Sequence, residues 1–215
     1  MVIKVIFFDF DGTISDAKRI AYASFVRTLD EFGYEFDDKR LKELMGIRMD
    51  DMLRKLGDGN WRYDVNKIRR RFYRYFTEAA RDGGIKPCVS LKPLWDLKKD
   101  YRLVVVSNSE MNFLRVSIKK LGIGKLFRGV YGARRGLGKD EILRGLFRKF
   151  GIKASEAVYV GDRFSDVEFA RDAGCVAVAI HNSCSWSSLA RIKKEKPNYL
   201  IKNFYGLAHV VRGIR

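Results

Sequence analysis

Residues 7–16 read FFDFDGTISD, and they end an apolar run that begins at Val2. The run VIKVIFF (2–8) has the length and composition of a strand buried on both faces of a sheet. It stops at two aspartates one residue apart, Asp9 and Asp11, followed by Gly12, Thr13 and a third acid, Asp16. A carboxylate at the tip of a buried strand is costly unless a cation, backbone N–H groups or water compensates for it. Residues two apart on an extended chain point to the same side. Paired carboxylates there repel each other unless a cation bridges them or one keeps a proton. A hard cation with oxygen ligands, most simply Mg²⁺, is the natural remedy. D-G alone marks only a turn; D-x-D-G-T after a buried strand is a far more specific pattern.

The rest of the chain repeats that first strand's texture. Short apolar runs lie at 102–107 (RLVVVS), 129–133, 157–162 (AVYVGD), 175–180 and 198–201. Helix-like stretches separate them, near 91–99, 110–121, 139–150, 165–173 and 203–213. Such alternation predicts a parallel sheet with helical crossovers. Residues 15–81 differ, for no convincing strand is visible there. Helical spacing covers Ala17–Phe32, Lys39–Met45, Met49–Leu56 and Trp61–Ala79. In the last of these, Trp61, Val65, Ile68, Phe72, Phe76 and Ala79 share one face. The expected fold is α/β: a Rossmann-like parallel sheet core, residues 1–14 and 84–215, split by an inserted all-helical cap, residues 15–83.

Composition excludes several classes. With 215 residues the chain buries roughly 70% of its unfolded surface and needs no staples. Its three cysteines, Cys88, Cys175 and Cys184, form no CxxC, so they read as small core residues rather than a disulfide or zinc framework. No apolar stretch nears the ~20 residues of a membrane span. The apolar N-terminal run is short and carries Lys4, unlike a signal peptide. A soluble, cytoplasmic protein with no membrane partner is expected. The net charge of +17 invites a nucleic-acid reading. It equally suits an enzyme that concentrates anionic substrates, or a surface adapted to heat. KIRRRFYRYF (67–76) mixes arginines with aromatics, yet Lys67, Arg70, Arg71 and Arg74 fall opposite the apolar stripe. A packed helix with a solvated basic face explains them, which argues against nucleic acid. His181 and His209 sit in no motif and read as structural or surface residues.

In open parallel sheets ligands bind beyond the carboxyl ends of the strands. Four segments lie there. Asp9 and Asp11 follow the first strand. Ser107, Asn108 and Ser109 follow the second, before a helix, where a hydroxyl and free N–H groups suit a phosphate but also a plain helix cap. Lys139 in GLGKDEIL (136–143) begins a helix, a poor electrostatic place for a cation, which suggests a partner elsewhere. Asp162 and Asp166 lie in GDRFSD (161–166), again an apolar strand ending in an acid. Converging, these groups make a phosphate cradle. One carboxylate can attack phosphorus, a metal and lysine can stabilise the transferred charge, and a second carboxylate can move protons.

DFDGT (9–13), SNS (107–109), GLGKDEIL (136–143) and GDRFSD (161–166), in that order, resemble the haloacid dehalogenase superfamily of phosphohydrolases. The resemblance spans essentially the whole chain, and its group is that of phosphoglycolate phosphatase and β-phosphoglucomutase. It implies that Asp9 is the nucleophile and a Mg²⁺ ligand, and that Asp11 is the general acid/base, lending its backbone carbonyl to the metal. Ser107 and Asn108 would hold the phosphoryl group, Lys139 would bridge it to the nucleophile, and Asp162 and Asp166 would complete the metal site. The implied activity is hydrolysis of a small phosphorylated metabolite. The alternatives are a sugar-phosphate mutase and a nucleic-acid-binding protein on the same scaffold. Lys139 precedes Asp140 where the family often has Lys-Pro. Asp11 argues against a dehalogenase, which lacks that acid. MGIRMDDML (45–53) resembles a substrate loop of the mutases, but Ala21 and Met45 stand where those typically carry His and Lys. Arg48 in this loop is the expected cap contact to substrate.

Overall fold

The computed structural model describes residues 2–45, 49–57, 64–133 and 137–214. Six strands form one parallel sheet: β1 (Val5–Phe8), β4 (Arg102–Val106), β5 (Gly129–Tyr131), β6 (Ala157–Gly161), β7 (Val176–Ile180) and β8 (Tyr199–Ile201). Their order is β5-β4-β1-β6-β7-β8, and every neighbouring pair is parallel. β1 is therefore central, with Phe8 beside Val105 on one side and Val160 on the other. Alternation along β1 sends Ile6 and Phe8 into one apolar cluster and Val5 and Phe7 into the other. Covering both faces is what makes these strands read as continuous apolar runs.

The helices α7 (Lys139–Phe150) and α8 (Phe164–Ala173) cover one face through Leu143, Phe147 and Ala170. On the other lie α5 (Lys92–Asp100), α6 (Met111–Lys120) and α10 (Phe204–Gly213), through Leu97, Phe113 and Phe204. A short helix, α9 (Leu189–Lys194), follows the loop after β7.

Among the described residues, four helices follow β1 in the inserted segment: α1 (Lys18–Glu31), α2 (Asp38–Leu44), α3 (Met49–Leu56) and α4 (Val65–Ala79). Asp64 caps α4, its side chain accepting from Asn66 N at 2.8 Å. Ile68, Phe72 and Phe76 are buried along one face of α4, while Lys67, Arg70 and Arg74 are exposed. Arg71 pairs with Glu31 at 2.9 Å. Phe72 stacks on Phe25 of α1 at 3.9 Å between ring centroids, and Phe76 on Phe113 of α6 at 3.8 Å. Burying each such ring contributes about 1.5–3 kcal/mol, so α4 ties the helical segment to the sheet layer. A π-helical turn, Ala80–Gly84, leads back to the sheet.

Two expectations need correction. The first strand starts at Val5, and Val2 is 74% exposed, because the apolar run outlasts the pairing. The segment after β1 does hold a strand: β2 (Ser15–Asp16) pairs antiparallel with β3 (Lys86–Pro87), joining the two chain crossings. A two-residue strand has no periodicity to read. Lys139, for which a partner elsewhere was expected, is 2% exposed. Arg48 and Trp61 lie outside the described residues. Cys175 and Cys184 are buried and Cys88 half-buried, all as free thiols. Among the described residues no helix is long and apolar enough to cross a membrane.

Candidate active site

Asp9 leaves β1 with its N–H on Val160 O at 2.8 Å, which holds the strand tip against β6. Its Oδ1 accepts from Phe10 N at 2.8 Å. Its Oδ2 lies 3.1 Å from Lys139 Nζ. The chain then turns at Gly12 with φ +87°. A Cβ there would lie 2.4 Å from Trp186 Cδ1 and 2.5 Å from Asp162 Oδ2. Only glycine satisfies both the backbone angle and the close approach. Thr13, one residue on, donates its hydroxyl to Asp162 Oδ1 at 2.9 Å.

β6 delivers Asp162 at its tip, fully buried. Its second oxygen accepts from Trp186 N at 2.7 Å. Asp166 sits in the first turn of α8. Its Oδ2 accepts from Arg163 N at 3.0 Å, as a helix cap does, while its Oδ1 takes Lys139 Nζ at 2.7 Å. Gly161 is needed for this approach, because a Cβ there would lie 2.4 Å from Asp166 Cβ. Lys139, the first residue of α7, thus points away from its own helix and bridges two carboxylates. Its adverse position is offset by those partners: burial alone would lower its pKa, but the charges of Asp166 and Asp9 raise it overall.

Asp9, Asp162 and Asp166 each place one carboxylate oxygen within 4.8 Å of the others, all buried. Burial pushes Asp162 up to about 7; Arg163 opposes this, and the charges of Asp166 and Asp9 add to it. Burial likewise raises Asp166, against the pull of Lys139. Three buried acids share one lysine. That deficit of positive charge, in an all-oxygen donor set, fits a hard divalent cation.

Asp11 stands apart from this cluster. Its oxygens accept from Ser15 Oγ at 3.0 Å and from Ser109 Oγ at 2.5 Å. Burial pushes its carboxyl up to about 6; the Ser109 bond opposes the rise and the charge of Asp9 adds to it. Ser107 is buried at the end of β4, and its Oγ accepts from Ser109 N at 3.2 Å. Asn108 is exposed beside it. A cavity of about 740 Å³ opens over these groups, between the sheet edge and the inserted helices. Asp9, Asp11, Ser107, Asn108 and Lys139 line it on the sheet side, and Phe25, Met49 and Phe72 on the other.

The structure thus gathers all seven described candidates at one sheet edge. Sequence reasoning missed three wall residues and one role. Ser109 was quoted within its motif but given no task, and it holds Asp11. Trp186, Arg163 and Tyr73 were unassigned. Tyr73, on α4, sets its hydroxyl 3.5 Å from Asn108 O. Burial and the nearby charges of Glu110 and Asp11 raise that phenol's pKa. The signal for Trp186 was its place just beyond a strand end, in the polar loop NSCSWSS (182–188).

Fold and site together define an α/β enzyme with an acid-lined centre at the carboxyl edge of a parallel sheet. A family model described as haloacid dehalogenase-like hydrolase matches residues 6–180, and the chain belongs to that family. Its enzyme class is accordingly hydrolase. It is 28% identical to a phosphoglycolate phosphatase of Synechococcus elongatus over 82% of this chain and 83% of that protein. It is 23% identical to the pyrophosphatase PpaX of Bacillus velezensis over 97% of this chain and 96% of that protein. Among solved structures, a haloacid dehalogenase-like family hydrolase from Streptococcus pneumoniae superposes with a TM-score of 0.83. That match covers 97% of this chain and 98% of the other at 19% identity, a likeness of fold.

Proposed function

We propose that the protein is a Mg²⁺-dependent phosphatase that hydrolyses a small phosphomonoester through a phospho-aspartate on Asp9. One observation carries the reading. Two carboxylates two residues apart occupy opposite environments: Asp9 faces Lys139 and two further acids, whereas Asp11 is held by two serine hydroxyls with its carboxyl pushed up to about 6. Environments that separate two acids in this way divide nucleophile from proton carrier. Relatives named phosphoglycolate phosphatase and pyrophosphatase point the same way.

The chemistry follows from these places. Asp9 attacks phosphorus, and the bond from phosphorus to the leaving oxygen breaks. Asp11 gives that oxygen its proton. Asp11, now ionised, takes a proton from water as the water oxygen attacks phosphorus, and Asp9 is released with inorganic phosphate. Lys139 and the hydroxyl of Ser107 bear on the phosphoryl oxygens, with Asn108 at the mouth. Asp9, Asp162, Asp166 and the Asp11 carbonyl would hold Mg²⁺. The metal's contribution is to offset the negative charge gathered during transfer. Residues 15–83 act as the cap and 1–14 with 84–215 as the catalytic core. The antiparallel β2–β3 pair joins the two crossings between cap and core. Closure excludes water and selects the substrate.

The test is phosphate release from a panel of phosphomonoesters, with Mg²⁺ and with EDTA, against Asp9→Asn. Metal-dependent release that vanishes in a folded Asp9→Asn variant supports the proposal. No turnover by folded, Mg²⁺-loaded protein, or isomer formation without phosphate release, defeats it.

A further inference from the structure

Four cations line the cavity among the described residues: Arg54, Arg69, Lys139 and Arg163. Three are committed to carboxylates. Arg54 pairs with Asp51 at 2.6 Å, Arg69 with Asp50, and Lys139 with Asp9 and Asp166. Arg163 differs. Among the described residues no carboxylate lies within ion-pair distance of its guanidinium, although it immediately follows Asp162. Instead its guanidinium carbon sits 4.8 Å from the centroid of the Trp186 ring. An arginine stacked on an aromatic face is fixed in orientation while its in-plane N–H groups stay available.

Trp186 is itself fixed. Its backbone N–H bonds Asp162, and its ring edge lies against Gly12. Among the described residues its indole Nε1 is buried without a hydrogen-bond partner, as are Thr77 Oγ1, Ser117 Oγ and Asn182 Nδ2, so the ring acts here as a brace and not as a donor to a ligand. So a planar cation held by a ring stands beside the phosphoryl site on the cavity wall.

The geometry points to Arg163, braced by Trp186, as a specificity residue on the core that binds a second anionic group of the substrate. The inference rests on the phosphatase reading and sharpens it. The substrate class is a compact phosphomonoester or phosphoanhydride with a carboxylate or second phosphate a few bonds from the scissile oxygen. The site adds a substrate contact on the core to the one expected from Arg48.

The test compares matched substrates. Phosphoglycolate is set against 2-hydroxyethyl phosphate, in which a neutral hydroxymethyl replaces the carboxylate. Pyrophosphate is set against acetyl phosphate, also an anhydride with a good leaving group but with an uncharged second group, which separates a second phosphate from a carboxylate as the recognised group. A hydrogen bond to a charged group contributes about 1.5–3 kcal/mol, so wild type should favour at least one charged member by roughly 10- to 100-fold in kcat/KM. Arg163→Gln should lower that ratio by about tenfold or more. Arg163→Lys, which keeps charge but loses the planar fork, should fall between. Thermal melts establish that both variants fold. Reading the ratio cancels any common effect of Arg163 on the nearby carboxylates. A wild-type ratio near one for both pairs, or a ratio unchanged in Arg163→Gln, overturns the inference while hydrolysis itself stands. Absence of turnover on all four compounds overturns the phosphatase reading and this inference with it.

Discussion

Asp162→Asn should make the metal-free protein more stable, although it should destroy the enzyme. In the native state burial and the charges of Asp166 and Asp9 lift the Asp162 carboxyl from 3.8 to about 7. The ionised native form therefore carries a penalty of about 4 kcal/mol at alkaline pH, at 1.36 kcal/mol for each tenfold shift. Asparagine removes the charge and keeps the shape. Its carbonyl can accept from Trp186 N, and its amide can face the Thr13 hydroxyl, which turns from donor to acceptor. Relaxation, water entry and that reversal reduce the gain, so about 2 kcal/mol is the working figure. For a chain of this size that is a rise in Tm of about 4–8 °C.

The pH dependence gives the argument its sign. The native carboxyl holds its proton more tightly than the unfolded one. Wild type therefore loses stability as pH climbs from about 4 to about 7, where only the unfolded state has released the proton. The advantage of Asp162→Asn should be full above about pH 7, shrink as pH falls, and vanish below about pH 4. Mg²⁺ should reverse the order. A site filled to 100 times its Kd gains about 2.7 kcal/mol, and the variant, short of one ligand, should gain far less. Calorimetric melts of both proteins across this range, in EDTA and in Mg²⁺, read all of it. A variant less stable than wild type in EDTA above pH 7, or a gap that ignores pH, would refute the reasoning.

Asp11→Asn should slow hydrolysis of an alkyl phosphate far more than that of p-nitrophenyl phosphate, whose leaving group needs no proton; equal losses of kcat would count against the acid role. Gly12→Ala should cost both stability and activity, because its φ of +87° and the 2.4 Å approach to Trp186 leave no room for a methyl group; a melt within 1 °C of wild type, at about pH 7, would contradict this. Phe72→Ala empties the stack on Phe25 and should destabilise by about 3–5 kcal/mol in denaturant titration. Asp9→Asn should fold normally by circular dichroism and lose at least about a thousandfold in kcat, as the loss of a nucleophile demands.

The sheet was legible because its four inner strands, β4, β1, β6 and β7, are buried on both faces, and such strands have to be apolar runs of limited length. Helices α4 and α7 were legible through stripes that survive packing, as Ile68, Phe72 and Phe76 do. Where an element has too few residues to show a period, nothing marks it. β2 and β3 have two residues each and exist through pairing across 70 positions. α9 buries only Ile192 among its six residues, so no stripe forms. The start of β1 was overread because hydrophobicity reports burial, and the end of backbone pairing leaves no mark in side-chain chemistry.

The site was legible for a different reason: its residues are bad local choices. An acid at the tip of a buried strand and a lysine at the head of a helix each conflict with their immediate surroundings, and such conflicts at two strand ends and one helix start imply a common resolution in space. Trp186, Arg163 and Tyr73 conflict with nothing nearby. Arg163 stands beside the carboxylates because it follows Asp162 in the chain, but Trp186 and Tyr73 reach them only when the loop after β7 and the last cap helix fold over the sheet edge. Charge sharpens the distinction. The chain has 43 basic and 26 acidic residues, so acids are scarce, and exposed bases such as Lys67, Arg70 and Arg74 could have paired with many of them. Asp9, Asp11, Asp162 and Asp166 are instead buried together, with Lys139 bridging two of them and Arg163 on a tryptophan. Burying like charges in a protein rich in opposite ones opposes stability. On the proposed reading a cation would occupy this centre and an anionic substrate would be drawn to it, a role for which a net charge of +17 is suited.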